Sequence, residues 1–420
     1  MPSSTLLQLV ARGRQDAYLT GSPQFTFFKH VYRRYTPFAI ESIPIELDGS
    51  PDFGRRISCV IPRKAELLGP MFLEVDLPVL PVIGETQYFW VNDIGHALIE
   101  NISVEIGDKE IDKHTGAWLQ IWTELTTPAE KRDGFSEMIG HYDAYPPAAP
   151  TPLRLTIPLR FWFCTTIGAA LPLIALQAHP VRLIIHLRRF QELWWSSDLT
   201  ATVFAGPCPQ IPPVAPTRLQ LFGDYVFLDK EERRRFASAE HEYLIKQLQY
   251  TPPQSVPVNV STANVDIAFN HCCTEFIWTI QQDRIAAAHE WFNFSNRLNA
   301  AGGEVGVSLT DPMDSAVLRL DGYERFQRRV APYFRITQPY QYHTVIPTSE
   351  NDYIYLYSFS LRPEDEQPSG SINCSKMDDI TLNLAFTSTE LAYQRTIHVY
   401  AQNYNVLRIV GGLGGLAFIA

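Results

Sequence analysis

The side chains able to do chemistry are few and poorly matched to one another. His271-Cys272-Cys273 sets three metal-ligating residue types side by side. Neighbouring residues of a strand point to opposite faces, and the C-x-x-C spacing of zinc sites is missing, so this run reads as core thiols. Gly412-Leu-Gly-Gly-Leu-Ala417 fits the letters of a dinucleotide fingerprint, G-x-G-x-x-A. That fingerprint works because its glycines open a helix whose N-terminus holds a pyrophosphate. Only three residues follow Ala417, so the predicted role is a glycine-rich tail packed closely on a neighbour. Asp378-Asp379 is accompanied by no second acid, base or phosphate loop and reads as a turn before an apolar strand. The other histidines are scattered singly, with no H-E-x-x-H and no serine in a nucleophile elbow. No catalytic, cofactor-binding or metal-binding residue is assigned on this basis.

Two basic runs, Arg33-Arg34 and Arg233-Arg-Arg235, could meet phosphates or acidic partners, and Tyr32 and Tyr35 beside the first could stack bases. The chain as a whole is acidic, with a formal net charge of −10. Nucleic-acid binders carry a basic stripe, so these clusters are expected at subunit contacts, with no specific nucleic acid as partner. Asn101-Ile-Ser103, Asn259-Val-Ser261, Asn293-Phe-Ser295 and Asn373-Cys-Ser375 match the N-glycosylation triplet and stand as candidate modification sites. The triplet also arises by chance in a chain of this length, and no secretory signal is recognised to accompany it. The six cysteines, Cys59, Cys164, Cys208, Cys272, Cys273 and Cys374, follow no disulfide framework and are expected to stay reduced.

The elements around these residues are strands. A length of 420 residues exceeds one typical core, and 31 Pro, 24 Phe and 19 Tyr mark a turn-rich β-protein. Asp229 to His241 is the best short helix. Asp229 is the expected N-cap, with Glu232 completing a capping box and Glu231–Arg235 an exposed i,i+4 pair, so the segment reads as a solvated connector. The expected layout is an arm at 1–24, a first β-sandwich at 25–229, the connector at 230–241 and a second sandwich at 242–420. Short strands are read at Ile40–Leu47, Ile57–Ile61, Met71–Leu77, Ile102–Ile106, Leu153–Leu159, Val181–Leu187 and Leu219–Leu228. In the second half they fall at Tyr243–Tyr250, Tyr353–Phe359, Ile380–Phe386 and Ile397–Ile409, with a hairpin around Asp321-Gly322. Ala117–Leu125 is the predicted inserted helix. The uncharged run from Phe161 through Ala178 is broken by Gly168 and Pro172 and reads as buried strand, loop and strand rather than a membrane helix. Pro78–His96 and Asn293–Pro312 are long for hairpin connections and would clasp neighbours or build an outer surface.

Gly13-Arg-Gln-Asp-Ala-Tyr-Leu-Thr-Gly-Ser-Pro-Gln-Phe-Thr-Phe-Phe-Lys-His-Val-Tyr-Arg-Arg-Tyr-Thr-Pro-Phe-Ala39 resembles the opening of the major capsid proteins of large icosahedral double-stranded DNA viruses, the phycodnaviruses and iridoviruses among them. The resemblance continues through Leu171–His179, Asp224–Asp229 with Glu242–Leu248, Gln367–Gly370 and Tyr404–Ile409 with its glycine-rich tail. The algal-virus branch is the most similar, although the two long connections depart from it. The resemblance implies an all-β double jelly roll, two consecutive eight-stranded antiparallel sandwiches with short inserted helices. It further implies a structural role without enzyme activity or cofactor. Three chains would form a pseudo-hexagonal capsomer that tiles a virion shell, assembled in the host cytoplasm and touching minor capsid proteins and, through the N-terminal side, an internal viral membrane. A minor capsid paralogue in the same particle is the alternative within this class. A carbohydrate-binding or cupin-like β-sandwich enzyme is the alternative outside it, and would need a convergent cluster of histidines and carboxylates.

Overall fold

The computed structural model describes residues 4–49, 52–83, 86–142, 151–196, 212–298, 308–347 and 352–419. Residues 1–37 and 38–420 are two separate compact units. In the first, helices α1 (Ser4–Val10) and α2 (Asp16–Thr20) bury no residue. The carboxylate of Asp16 accepts the Gly13 N–H at 2.6 Å and closes the turn before α2. Residues 25–37 form no strand, so β-structure expected from Phe25 begins instead at Phe38. From Phe25 to Tyr35 the apolar and basic residues do not alternate, and no face is selected for burial.

Among the described residues of the second unit, sixteen strands form two sets of eight, beside six further short strands. The first set is β1 (Phe38–Ile45), β2 (Arg56–Val60), β3 (Leu67–Leu77), β4 (Ile99–Ile106), β5 (Lys109–Thr115), β6 (Leu153–Pro158), β7 (Val181–Leu187) and β8 (Arg218–Leu228). They pair antiparallel in the orders β1-β8-β3-β6 and β2-β7-β4-β5. The second set is β9 (His241–Tyr250), β10 (Thr262–Asp266), β11 (Cys272–Gln282), β12 (Met313–Leu320), β13 (Tyr323–Glu324), β14 (Ile354–Ser358), β15 (Ile380–Phe386) and β16 (Arg395–Val410). Its orders are β9-β16-β11-β14 and β10-β15-β12-β13. Adding eight to each strand number of the first half gives the second. These are two jelly rolls of the same topology. Strand β13 is short, and Arg329–Val330 extends its position on β12.

Alternation makes the strands. In β15 the side chains of Ile380, Leu382, Leu384 and Phe386 are buried and those between them are half-buried, the period-two pattern of a sheet over a core. Strand β11 is buried along nearly its whole length, because its sheet is covered on both sides. Asp321 and Gly322 both take positive φ, 50° and 81°, and pair Leu320 with Tyr323, as their turn type requires. The carboxylate of Asp321 also accepts the N–H groups of Asp378 at 2.8 Å and Asp379 at 3.0 Å.

Helix α3 (Gly116–Thr126) matches the predicted inserted helix, and Thr115 caps it by accepting the Trp118 N–H at 3.2 Å. It is followed by α4 (Ala129–Ile139), which buries only Ile139. Leu119 of α3 packs in the core of the first jelly roll, while Trp118, Ile121, Trp122 and Leu125 pack in the core of the second. The exchange is mutual: Ile245, Phe292, Leu407 and Ile409 of the second half lie in the first core.

The connector helix α5 (Lys230–Ser238) is present but is not merely solvated. Asp229 makes no side-chain cap bond, and no Glu231–Arg235 ion pair forms among the described residues. Instead the buried carboxylate of Glu66 accepts the Leu228 N–H at 2.9 Å and pairs with Arg233, because a buried carboxylate must find a cation or donors. Phe236 packs against Leu67, Ala170 and Val226. The uncharged run near Phe161 forms a short helix, Trp162–Thr165, and a 3-10 turn, Ile167–Ala169, rather than two strands. No helix among the described residues is long and apolar enough to cross a membrane. Much of Pro78–His96 folds inward rather than reaching out. Tyr88–Trp90 pairs with Trp194–Ser196, and the buried Trp90 indole donates to the Pro78 carbonyl at 3.0 Å. Of Asn293–Pro312, residues 299–307 lie outside the described residues, and Asn293 to Asn296 are buried.

Two substitutions test the shared helix. A Cβ at Gly116 would run into the carbonyl oxygens of His96 and Ile99, backbone atoms that cannot rotate away. Gly116→Ala should therefore cost about 3 kcal/mol in denaturant unfolding. Trp118 stacks on Trp122 at 5.3 Å and lies 5.8 Å from Tyr400. Trp118→Ala should cost about 3–5 kcal/mol, with both jelly rolls losing stability in the same transition.

Candidate assembly surface

The residues singled out for chemistry do not converge. His271 sits at positive φ at the entry to β11, and Cys273 is buried there beside Cys374. Cys59, Cys164, Cys272, Cys273 and Cys374 are all free thiols, while Cys208 lies outside the described residues. Burial pushes the Cys59 and Cys164 thiols up to about 12, so both are inert cores rather than nucleophiles. Asp378 and Asp379 form the expected turn with Asp321. Gly411 and Gly412 supply the two positive-φ positions of a hairpin that returns Leu413–Leu416 along β16. A Cβ on Gly414 would meet Leu176 at 2.6 Å and Ile106 at 3.0 Å. The tail thus packs on the first jelly roll of its own chain, with the Gly414 N–H donating to Nδ1 of His179 at 3.2 Å.

Arg33 and Arg34 are exposed, whereas Arg233 is committed to Glu66. Asn259 and Asn373 are exposed and Asn101 is half-buried within β4. The Asn293 amide is buried, donating to Glu290 at 2.5 Å and to the Arg297 carbonyl at 2.8 Å.

One histidine does meet two carboxylates. The His343 imidazole is fully buried, with Nε2 2.8 Å from Glu275 and Nδ1 2.9 Å from Glu364. Burial alone would lower its pKa, but the two carboxylates outweigh it and raise it to about 9. Both ring nitrogens are occupied by carboxylates, which leaves no lone pair for a cation. No group of three His, Cys, Asp or Glu side chains among the described residues is arranged to hold a metal ion. This is an ion pair within a core, not the cupin-like cluster.

What the fold does present is surface. β1 and β2 are edge strands at one side of the first jelly roll. Edge strands are templates for association unless covered, and here Ile40 is 49% and Val60 48% exposed. A groove of about 910 Å³ lies beside them, lined by Pro44, Leu47, Pro62, Lys64 and Arg218 among others. In the second jelly roll Tyr323 and Val330 are exposed on the segment rooted by Phe326 against Tyr357 at 4.7 Å, and Tyr340 is exposed on the short helix Gln338–Tyr342. Residues 1–37 expose Phe25, Phe27, Phe28, Tyr32 and Tyr35. Sequence reasoning did not find the β1 edge, because alternation reports which face is buried and not which neighbour a strand lacks.

The comparisons agree with this geometry. The family described as major capsid protein N-terminus matches residues 26–229, and the family described as large eukaryotic DNA virus major capsid protein matches residues 232–415. The major capsid protein of Pyramimonas orientalis virus is 39% identical over 98% of both chains. Among solved structures, the chain in a quasi-atomic description of the PBCV-1 virus capsid is 31% identical, with a TM-score of 0.79 over 94% of this chain and all of that one. The Faustovirus major capsid protein, 14% identical with a TM-score of 0.73 over 95% of this chain and 94% of that one, shares the fold. With the double jelly roll and this similarity along nearly its whole length, the chain belongs to the family of large eukaryotic DNA virus major capsid proteins.

Proposed function

We propose that the protein is the structural subunit of a virion shell, three copies closing into a pseudo-hexagonal capsomer and capsomers tiling an icosahedral capsid. The observation that carries this reading is the strand-for-strand repeat of one jelly roll by the next. Three chains then supply six similar sandwiches, and a closed threefold ring satisfies head-to-tail contacts without growing a fibre. The proposed domains are an arm at 1–24, jelly rolls at 25–229 and 242–420, the strands of the first starting at Phe38, and the connector at 230–241; the two family matches divide at nearly the same place. The family is one of structural proteins rather than enzymes.

The finer partners follow from surface chemistry. Residues 1–37 carry five Lys and Arg against one Asp, in a chain of net charge −10, together with the exposed aromatics. Such a segment suits minor capsid proteins or an anionic internal membrane. The reading puts synthesis and assembly in the host cytoplasm, and the free thiols among the described residues support it. Of the four glycosylation triplets, Asn259 and Asn373 are the accessible acceptors. A minor capsid paralogue remains a second reading, since a relative named probable capsid protein 4 of Acanthamoeba polyphaga mimivirus is 31% identical over 98% of both chains.

Three chains of 47.8 kDa make about 143 kDa. Light scattering should report that mass in reductant and after nuclease treatment, because neither disulfides nor nucleic acid are assigned to the contact. A stable monomer at micromolar concentration would contradict the proposal. Ile40→Lys should lower the trimer fraction while leaving the melting temperature of the separated subunit within about 1 °C, since the side chain is already exposed there.

A further inference from the structure

Two clusters of buried titratable groups lie on either side of α3, and neither is needed to explain the fold. At its C-terminal half the Leu125 carbonyl accepts the Val345 N–H at 3.3 Å, and Trp122 stands edge-on to His343 with ring centroids 6.1 Å apart. One residue before Leu125, Glu124 meets Asp352, which is buried in the second jelly roll just before β14. We propose that His343 and Asp352 form a proton-operated latch holding α3 of the first jelly roll against the second, closed while both side chains carry a proton and released as the solution turns alkaline.

The geometry sets the direction at each end. His343 is faced by Glu275 from β11 and by Glu364, whose carboxylate also accepts the Thr344 N–H at 2.7 Å. From β9 the Lys246 ammonium donates to the carbonyls of Pro363 and Asp365, both at 2.7 Å, with the side chains of Asp365 and Glu366 also in its surroundings. When His343 loses its proton, Glu275 and Glu364 lose the cation they share and are left with the more distant charge of Lys246. Glu275 is fully buried and one of its oxygens already lacks a hydrogen-bond partner. At the other end, burial and the neighbouring Glu124 hold the Asp352 carboxyl well above the usual range, against the opposing effect of Arg132. Arg132 pairs with Glu124, and Gln120 donates to Glu124 at 3.1 Å. Asp93, 2.8 Å from His141, adds a further carboxylate to the surroundings. Ionising Asp352 would leave two adjoining carboxylates on one guanidinium.

Both ends act in the same sense. The folded-state pKa of His343 is raised to about 9. Its contribution is therefore complete below about 6.5, the ordinary value, and is lost as pH climbs through about 9. Asp352, also raised, disfavours folding increasingly as pH rises above the ordinary carboxylate range of about 4.

The test uses the full chain. Melting temperature is measured from pH 6 to 10 for the protein, His343→Gln and Asp352→Asn, with hydrogen–deuterium exchange of peptides covering 116–126 and 343–347 at pH 7 and 9, corrected for the intrinsic rate. The protein should lose roughly 4 °C between pH 6.5 and 9. His343→Gln should melt lower at pH 6 and show a clearly smaller loss, the remainder coming from Asp352. Asp352→Asn should melt higher than the parent at pH 9 and keep more protection in both peptides. The proposal is overturned if the pH slope in His343→Gln equals that of the parent, or if protection at pH 9 falls evenly across the chain. Should His343→Gln fail to fold, equal protection at pH 9 in Asp352→Asn and the parent overturns it on its own.

Discussion

Helix α3 belongs to two hydrophobic cores at once, and the relation between the jelly rolls depends on that sharing. Leu119 faces the first core, and Trp118, Ile121, Trp122 and Leu125 face the second. Two tryptophans sunk across a boundary carry several kcal/mol of burial, far more than surface ion pairs supply. Ile245, Leu407 and Ile409 cross in the opposite direction. Neither half closes its core without side chains lent by the other. A subunit used as a tile needs such rigidity, because its flanks must keep a fixed angle to one another.

The helix can approach this closely because its first residue is Gly116, lying against the His96 and Ile99 carbonyls. Polar contacts then fix the register. Leu248 donates its N–H to Asp112 at 3.0 Å, and the Trp291 indole donates to the Glu192 carbonyl at 2.9 Å. Arg188 lies over the Trp291 ring at 3.7 Å. These are directional bonds in a poorly hydrated junction, where a slip of one residue would strand each donor.

Repetition of the fold without repetition of the sequence has a simple basis. What β3 and β11 share is a central position between two neighbours in a covered sheet, which requires apolar β-formers but not particular ones. Individuality is confined to insertions. The first half inserts α3 and α4 between β5 and β6, and the second inserts the segment carrying His343 between β13 and β14. The two insertions meet, and the His343 imidazole is buried where they do.

Local pattern determined a good deal. Strict alternation gave β15 and the body of β9, an Asp-Gly pair gave the turn after β12, and an uninterrupted apolar periodicity gave α3. Each is decided within a few residues, by pleat, φ preference or helical spacing. The N-terminal resemblance added the double jelly roll, which no local rule provides. Other features needed the tertiary structure because their causes lie beyond the few residues that a local rule reads. Glu66 draws Arg233, so the connector is anchored rather than solvated. Trp90 bonds to Pro78, so a presumed outer loop folds inward. His343 reads as one more solitary histidine until folding brings Glu275 and Glu364 to its two nitrogens. Sequence by itself determined which residues must be buried and in what local form; only the tertiary structure decided which core α3 would fill and which charges would share its burial, because those choices depend on the desolvation of partners more than a hundred residues apart.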